Sequence, residues 1–345
     1  MANPSAGTPV VVVGASAGGV EALQRLAASL PVDFPCCVLV VLHVPATGRS
    51  ALPVILDRAG PLPARQAADG DGLHAGEILV APADRHLVVL DGHVALTRGP
   101  QENGHRPAVD VLFRSAARAL GPRVAAVVLS GALDDGAAGA VAVAERGGLC
   151  LVQDPGEALY DGMPTSALGA VGSAKPCGVT EMPVVLEEWS GSLGDAPAGA
   201  PSGLLEMEAD MAEMDPDALH DPVRPGVPAG LGCPDCAGAL YQIEEGGLRR
   251  FRCRVGHAWS PESLLARQTI AMESALWMAL RSLEDKAALN TEMALRAEDE
   301  GRTMTATRFT AAAAEAHRAA EMVRTLVTEI GTGDVSPWRA EDDRP

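Results

Sequence analysis

A run of four valines, Val10 to Val13, is followed by Gly-Ala-Ser-Ala-Gly-Gly at 14–19, and this segment constrains the fold more than any other. A β-branched run bounded by glycines is typical of a strand buried on both faces of a parallel sheet. Helical apolar spacing follows from Glu21 to Leu30. Ser16 is therefore predicted to lie in a strand-to-helix turn, at the sheet edge where open α/β folds bind ligands and where helix N–H groups can bind an oxyanion.

Short apolar runs alternate with helical stretches from Thr8 to about Leu186, which predicts a doubly wound, mostly parallel α/β sheet. Two short strand candidates around Asp91-Gly92 interrupt the alternation and predict a β-hairpin with a two-residue turn. The strand candidates are Pro9–Val13, Cys37–Leu42, Glu77–Ala81, Leu87–Leu90, Val94–Leu96, Val124–Leu129 and Leu149–Gln153. The helix candidates are Val20–Ser29, Ala51–Arg58, Ala108–Ala119, Gly136–Arg146 and Pro164–Leu168.

The pattern changes after this α/β domain, which is expected to span residues 8–190. Residues 191–230 are rich in Gly, Pro, Ala and acidic residues, a linker composition in which Leu204–Met214 could form a transient helix. A cysteine and histidine cluster occupies 231–259, and 260–331 predicts a helical hairpin or coiled coil with a disordered tail over 332–345. The expected apolar face of the first long helix comprises Leu265, Met272, Leu276, Ala279 and Leu283.

Composition excludes several classes of protein. The chain is 47% hydrophobic, enough for a sizeable core, and its net charge of −18 without a basic stretch argues against a nucleic-acid partner. Seven cysteines in 345 residues do not form the pattern of a disulfide framework. No signal peptide and no apolar run of about 20 residues stands out, so a cytoplasmic protein without membrane insertion is expected.

Three polar residues at predicted strand ends could form a hydrolytic site. A serine hydroxyl is a weak nucleophile until a base takes its proton, and the base is usually a histidine oriented by a carboxylate. His43 follows the second strand candidate and Asp135 follows Val124–Leu129, so Ser16, His43 and Asp135 are expected to meet at one sheet edge. An isolated histidine at a strand end is more often structural, so the prediction depends on the three residues occurring together. Asp134 competes with Asp135 for the role of the carboxylate.

Two other enzyme classes share parts of this pattern. Gly14, Ser16 and Gly18 match the Gly-x-Ser-x-Gly elbow of α/β-hydrolases, but the order Ser, His, Asp differs from the Ser, acid, His of that fold. The glycine-rich turn is also similar to the cofactor turn of short-chain dehydrogenases, which need Tyr-x-x-x-Lys. Neither Tyr160 nor Tyr241 has lysine four positions later, which disfavours a dehydrogenase.

Residues 9–186 resemble the catalytic domain of the chemotaxis protein-glutamate methylesterases (CheB-type). The resemblance is carried by eight stretches that span the whole first domain. They are Val-Gly-Ala-Ser-Ala-Gly-Gly (13–19), Leu-His-Val-Pro (42–45), Gly-Glu-Ile-Leu-Val-Ala-Pro-Ala-Asp-Arg-His-Leu (76–87), Arg-Pro-Ala-Val-Asp-Val-Leu-Phe-Arg-Ser-Ala-Ala (106–117), Asp-Asp-Gly-Ala-Ala-Gly (134–139), Gln-Asp-Pro (153–155), Tyr160 and Gly-Met-Pro (162–164).

The resemblance implies hydrolysis of γ-glutamyl methyl esters on chemoreceptor helices, with deamidation of glutamines as a second reaction and no catalytic cofactor. It assigns the family's triad to Ser16, His43 and Asp135. The backbone N–H groups of Ala17 and Gly18 are expected to bind the oxyanion. Three further residues of the matching stretches are expected either to recognise substrate or to hold loops by hydrogen bonds: Arg85, His86 and Arg106.

The chain departs from the family pattern in two ways. A catalytic strand that starts at Pro9 leaves no room for a preceding receiver domain, so phosphorylation control in cis is not expected. The family's Thr-Gly-Met-Gly-x-Asp-Gly turn reads Ser-Gly-Ala-Leu-Asp-Asp-Gly here, with Ala132 and Leu133 as the replacements. These replacements and the additional C-terminal module favour an alternative in which the chain is a non-catalytic signalling scaffold with a degenerate esterase domain. The intact Ser16, His43 and Asp135 favour the esterase.

A second site is predicted in the cysteine and histidine cluster. Cys233, Cys236, Cys253 and His257 follow the pattern Cys-x₂-Cys-x₁₆-Cys-x₃-His, the spacing of a structural zinc site. A segment this short has little core, so a metal would help it fold. A metal-free β-turn unit is the alternative. The long helices that follow are expected to bind other signalling proteins or a second copy.

Overall fold

The computed structural model describes residues 7–47, 50–90, 92–194, 199–220 and 226–330. The chain divides after Leu264 into two compact units. The cysteine and histidine segment therefore belongs to the same unit as the α/β sheet, and the division does not coincide with a boundary at 190, 230 or 259.

The first unit is built on a seven-stranded parallel sheet in the order β3-β4-β2-β1-β7-β8-β9. This confirms the predicted fold class. The strands are β1 (Val10–Ala15), β2 (Cys37–Leu42), β3 (Ala64–Gln66), β4 (Ile78–Val80), β7 (Val124–Val128), β8 (Leu149–Gln153) and β9 (Lys175–Cys177). The valine run lies at the centre of the sheet, and every residue of β1 is buried.

Side chains of β1 alternate between two cores, one on each face of the sheet. The helices around the sheet are α1 (Gly19–Ser29), α2 (Leu52–Ala59), α3 (Val109–Leu120), α4 (Ala137–Glu145), α5 (Gly162–Ala170) and α6 (Met182–Gly191). Val10 and Val12 pack on the face covered by α3 to α5, whereas Val11 and Val13 pack on the face of α1, α2 and α6. The continuous apolar run therefore correctly predicted a strand buried on both faces.

The predicted hairpin is present as β5 (His86–Leu90) and β6 (His93–Thr97), an antiparallel pair that packs beside α3. Asp91 of its expected turn lies outside the described residues. Two strands of the parallel sheet were not predicted: β3 and β9 have three residues each and are largely polar or exposed, so neither carries an apolar pattern.

The segment with linker composition contains a packed helix, α7 (Gly203–Ala212), followed by the short α8 (Pro216–His220). Leu205, Ala209 and Ala212 recur at helical spacing and are buried, and Ser202 accepts a hydrogen bond from the N–H of Leu205 as the helix N-cap. An amphipathic face thus overrides the Gly- and Pro-rich composition around it. The segment expected to be a linker, residues 191–230, therefore contains a helix that packs into the first unit.

The cysteine and histidine segment forms a four-stranded sheet in the order β10-β11-β12-β13. Its strands are β10 (Val227–Gly232), β11 (Ala239–Glu245), β12 (Leu248–Cys253) and β13 (Ala258–Trp259). Leu240, Phe251 and Trp259 form a small core with the buried cysteines.

The second unit, from Leu265, contains most of α9 (Pro261–Asp299) and all of α10 (Thr303–Ile330), as the helical pattern predicts. The expected apolar face is wrong, since Leu265, Met272 and Ala279 are exposed. The buried positions recur every seven residues instead: Leu280, Ala287 and Ala294 on α9 and Ala306, Ala313 and Ala320 on α10. Most of these positions are alanines, which a search for large side chains overlooks.

The tail from residue 331 lies outside the described residues. Among the helices that the structure describes, none combines the length and apolar character that crossing a membrane requires.

Candidate active site

The central strands bring three loops together at the carboxyl edge of the parallel sheet. β1 lies between β2 and β7, and the segments that follow these three strands carry Ser16, His43 and Asp135. The site therefore follows from strand order: residues 27 and 92 positions apart meet because their strands are neighbours.

The three side chains form a continuous hydrogen-bonded relay. The Ser16 hydroxyl donates to Nδ1 of His43 over 3.1 Å, and Nε2–H of His43 donates to Oδ2 of Asp135 over 2.7 Å. The imidazole thus has its free lone pair facing the serine, as a general base requires. The two ring nitrogens exchange the roles they have in the chymotrypsin-type triad, which is chemically equivalent because either can accept the proton.

Asp135 is buried, and hydrogen bonds keep it ionised. Burial by itself would raise the pKa of Asp135, but the hydrogen bond and charge of His43, with the backbone N–H of Val109, outweigh it and hold the pKa well below the usual range. The N–H groups of Val109 and Asp110 donate to the carboxylate over 2.8 and 3.1 Å. Asp135 therefore caps the N-terminus of α3, where the helix dipole favours an anion.

The two helices beside the site cap each other. Asp110, in the first turn of α3, accepts the N–H groups of Gly136 and Gly139 at the start of α4. Burial, together with the charge of Asp135, raises the pKa of Asp110 to about 8. Asp135 and Asp110 thus fix α3 and α4 to each other, and with them the position of the triad carboxylate.

The neighbouring carboxyl group of Asp134 does not reach His43. It accepts a hydrogen bond of 2.8 Å from the Ser260 hydroxyl. Burial raises the pKa of Asp134 to about 7, with further contributions from the charges of Glu262 and Asp135. Of the two candidate carboxylates, the structure places Asp135 in contact with the imidazole.

Gly14 is essential to this arrangement through packing. A Cβ at Gly14 would overlap Cγ1 of Val109, and a Cβ at Gly136 would lie 2.9 Å from the same atom. Val109 sits between these two glycines while its N–H holds Asp135. Gly14, the first glycine of the Gly-x-Ser-x-Gly sequence, therefore makes room for α3, whose backbone N–H groups donate to Asp135.

The turn after β1 presents backbone donors beside the serine. Within the described chain the N–H groups of Ala17 and Gly18 donate no hydrogen bond. Gly18 has a φ of 69°, a left-handed conformation that favours glycine, and a Cβ there would also meet Leu159 and Ser130. Ser130 ties the turn down because its hydroxyl donates to the carbonyl of Ala17 over 2.8 Å.

The other polar candidates are placed differently. His86 is fully buried, with Nε2–H donating to the carbonyl of Pro100 and Nδ1 accepting the N–H of Ala108, so it has the loop-holding role that was one of its two expectations. Arg106 donates to Asp84 and to the carbonyl of Gly99, which leaves it holding two loops together. Arg85 is exposed on the turn before β5.

Two residues of the loop before α3 join the site without having been predicted. The ring of His105 stacks on the ring of His43, with centroids 3.6 Å apart and planes 7° from parallel. The Asn103 amide donates to Oδ1 of Asp135 over 3.1 Å. The polar sequence Glu-Asn-Gly-His-Arg between two prolines was the available signal, since such a cluster ahead of a helix is a common binding loop.

The Ala132-Leu133 replacements lie in the loop that continues from β7. Next to them, a Cβ at Gly131 would overlap Sδ of Met163 and lie 3.0 Å from Cβ of Ser16. Met163 is buried, so a methionine from α5 packs against the serine turn. Leu42 and Val44, the sequence neighbours of His43, line a cavity of about 280 Å³ together with Pro45, Val20, Leu52 and Ile55.

The cysteine and histidine cluster has the geometry of a metal centre. The ligand atoms of Cys233, Cys236, Cys253 and His257 lie within 4.8 Å of one another. Nδ1 of His257 is 3.7 Å from Sγ of Cys233 and 3.6 Å from Sγ of Cys253, and the Sγ atoms of Cys236 and Cys253 are 3.6 Å apart. Tetrahedral zinc with Zn–S bonds of about 2.3 Å and Zn–N bonds of about 2.0 Å separates its ligand atoms by about 3.5–3.8 Å, so the residues fit the ion.

Comparison with known proteins agrees with the fold. A family model described as CheB methylesterase matches residues 11–186. The solved structure of the Thermotoga maritima CheB methylesterase catalytic domain superposes with a TM-score of 0.50 at 32% identity, covering 52% of this chain and 97% of that one.

Two curated relatives illustrate the sequence similarity. Protein-glutamate methylesterase/protein-glutamine glutaminase 2 of Methanosarcina mazei is 39% identical over 163 residues, which is 45% of this chain and 44% of that protein. Protein-glutamate methylesterase/protein-glutamine glutaminase 5 of Anaeromyxobacter dehalogenans is 42% identical over 173 residues, 48% of each chain. The chain spans about half the length of the curated relatives it matches.

Proposed function

Since this chain belongs to the CheB methylesterase family, we propose that it is a serine hydrolase that cleaves methyl esters of glutamate side chains on chemoreceptor helices. The observation that carries the proposal is the relay of hydrogen bonds from Ser16 through His43 to Asp135. The names of the relatives extend the proposal to a second reaction, the deamidation of glutamine side chains.

In the proposed reaction, Nδ1 of His43 takes the Ser16 proton while the serine oxygen bonds to the ester carbonyl carbon. The carbonyl oxygen becomes an oxyanion, for which the N–H groups of Ala17 and Gly18 are the nearest backbone donors. Asp135 stabilises the imidazolium. His43 then returns the proton to the leaving methoxide, so methanol departs; a water, deprotonated by the same nitrogen, cleaves the acyl-enzyme to glutamate and free serine.

The largely apolar cavity lined by the sequence neighbours of His43 supports a helical protein substrate. Its lining by Leu42, Val44 and Ile55 suits aliphatic side chains that precede or follow the esterified glutamate on one helix face. The half-exposed Ser16 at the sheet edge leaves the nucleophile open to a large substrate.

Methanol release from a methylated receptor tests the proposal. Ser16→Ala should lower the rate at least about 10³-fold, because the remaining site has no nucleophile. Ser29→Ala, a hydroxyl loss at the far end of α1, is the matched control and should retain full activity. A fluorophosphonate probe should label the unmodified protein at Ser16; absence of both labelling and methanol would favour a non-catalytic scaffold.

We also propose that Cys233, Cys236, Cys253 and His257 hold a structural zinc ion. Three thiolates and an imidazole are the ligands that zinc prefers, and four protein ligands leave no position open for catalysis. The ion would supply folding free energy to a segment whose core consists of a few side chains.

Metal analysis of the purified protein should find about one zinc per chain. Cys236→Ser should lower that content, whereas Cys177→Ser, outside the cluster, should leave it unchanged. A zinc-free protein whose cluster thiols react freely with a thiol reagent would exclude the ion.

A further inference from the structure

The loop that carries Asn103 and His105 pairs with the cysteine and histidine segment through an isolated β-bridge. Glu102 forms a parallel bridge with Ala258 of β13. The N–H of Asn103 donates to the carbonyl of Ala258 over 2.8 Å, and the N–H of Ala258 donates to the carbonyl of Gln101 over 3.4 Å. The backbone of the active-site loop is thus held by the edge of the second sheet.

A buried ionic cluster reinforces the same junction. Glu102 accepts a hydrogen bond of 2.9 Å from Arg252 of β12 and another from Arg114 of α3. Arg252 also donates to Glu208 of α7 over 2.7 Å. Arg250 and Glu245 complete the cluster, so three guanidinium groups face three carboxylates, all buried.

The Asn103 side chain uses every polar position it has. Its NH₂ group donates to Oδ1 of Asp135 and Oδ2 of Asp110, each over 3.1 Å. Its carbonyl oxygen accepts the N–H of Ser260 over 3.0 Å and the hydroxyl of Ser263 over 2.9 Å. The amide therefore joins the triad carboxylate on one side to the start of α9 on the other.

The direction of the amide decides its effect on the triad. Turned by 180°, it would place its oxygen against Oδ1 of the ionised Asp135, which repels it. The donors at Ser260 and Ser263 bind only the carbonyl end, so they hold the NH₂ group against Asp135. Ser260 also donates to Asp134, which connects the same helix start to the loop of the acid.

We infer that Ser263, together with the N–H of Ser260, is a positioning residue of the esterase, acting through Asn103 on Asp135. This inference rests on the proposed roles of Ser16, His43 and Asp135. The cysteine and histidine segment and the first turn of α9 are accordingly part of the hydrolytic machinery in this chain, and Asn103 is the residue through which they act.

The experiment measures labelling of Ser16 by a fluorophosphonate, which needs an activated serine and no knowledge of the natural substrate. Wild type, Ser263→Ala, Asn103→Ala and the double variant are compared, with Ser274→Ala as a control for hydroxyl loss on an exposed turn of the same helix. The maximal labelling rate and the probe affinity are measured separately, and thermal unfolding is recorded for each variant.

Ser263→Ala should lower the maximal labelling rate about tenfold with unchanged probe affinity, the effect of one weakened hydrogen bond to a charged group. The double variant should label no more slowly than Asn103→Ala, because Ser263 acts through that amide. Ser274→Ala should behave as wild type. If Ser263→Ala does not fold, Ser263→Thr and Ser263→Val, equal in shape, should differ by about the same tenfold.

A maximal labelling rate in Ser263→Ala equal to that of wild type would overturn the inference. So would a double variant whose loss in rate is the product of the losses in the two single variants. Equal rates for Ser263→Thr and Ser263→Val would do the same. A wild-type protein that is not labelled at Ser16 would instead overturn the proposed hydrolase, and the inference with it.

Discussion

At the scale of single residues, Asp134 and Asp135 show how neighbours in a chain acquire pKa values shifted in opposite directions. Asp135 accepts hydrogen bonds from His43, Asn103 and two backbone N–H groups of α3. Asp134 accepts one from Ser260 and lies close to the charges of Glu262 and Asp135. Burial acts on both carboxyls, but only Asp135 has enough donors to remain ionised.

Asp134 should make the protein less stable as pH rises. Its pKa is raised by burial from the usual 3.8 to about 7, so between about pH 4 and pH 8 the folded state holds a proton that the unfolded state releases. Stability from this group is present at low pH and is lost through that range. Asp134→Asn should therefore raise the free energy of unfolding at pH 8 by about 2 kcal/mol after allowance for solvent screening, and should change it little at pH 4.

Urea unfolding at a series of pH values measures this difference. Asp33→Asn, at an exposed position, should leave the pH dependence unchanged. If the free energy of unfolding of Asp134→Asn fell with pH as steeply as that of the unmodified protein, the assignment of the raised pKa to Asp134 would be contradicted.

At the scale of elements, α7 is fixed to the rest of its unit by the buried ionic cluster. Glu208 of this helix lies between Arg250 and Arg252, with Arg114 also close by. Removing one partner of a buried ion pair leaves an uncompensated charge, which costs more than the loss of an exposed pair.

Glu208→Gln should lower the free energy of unfolding by about 3 kcal/mol. Glu206→Gln, two positions earlier on the same helix and near Arg118, is half-exposed and should cost less than about 1 kcal/mol. Chemical denaturation of both variants provides the comparison. Equal costs would mean that the cluster contributes no more than the surface pair.

The alanine seam between α9 and α10 provides a second test at this scale. Ala287 is fully buried in the seam, whereas Ala279 on the same helix is exposed. Ala287→Leu should destabilise the helical unit by about 2 kcal/mol through overpacking, and Ala279→Leu should change stability by less than about 0.5 kcal/mol. Thermal melting followed by circular dichroism measures both; the reverse order would indicate that the large apolar side chains form the seam.

Elements were predictable where burial leaves a strong apolar pattern. The valine run, the strands on either side of it and five of the six helices around the sheet have such a pattern, whereas α6 (Met182–Gly191) was not predicted. The strands β3 and β9 do not, because short edge strands expose most of their side chains. Ser16, His43 and Asp135 could be selected from strand ends, but Asn103 and Ser263 could not, since their contact spans 160 positions and depends on how the second sheet packs.

At the scale of the whole molecule, the cysteine and histidine segment and the parallel sheet share one compact unit. Strand pairing, the ionic cluster and the Asn103 amide all cross between them. Loss of order in the small sheet should therefore reach the active site.

Metal removal should lower the unfolding temperature of the whole first unit. A loss of about 2 kcal/mol corresponds to about 4–8 °C for a unit of this size. Scanning calorimetry with and without a chelator measures the shift, and labelling of Ser16 should slow in parallel. Without chelator, Cys236→Ser should already unfold at the lower temperature, and chelator should not lower its unfolding temperature further. If chelator leaves the unfolding temperature of the unmodified protein unchanged, the dependence on metal is contradicted.

The packing of Gly14 against Val109 changes what a Gly-x-Ser-x-Gly string means in this chain. A pattern search would count Gly14 as part of the serine turn, yet its bare Cα admits the helix that anchors the acid. Transplanting the five-residue string onto another strand would therefore move the nucleophile without its support. The unit that would have to be transferred is β1 packed against the start of α3. These two segments lie about a hundred positions apart in the sequence and would have to be grafted together.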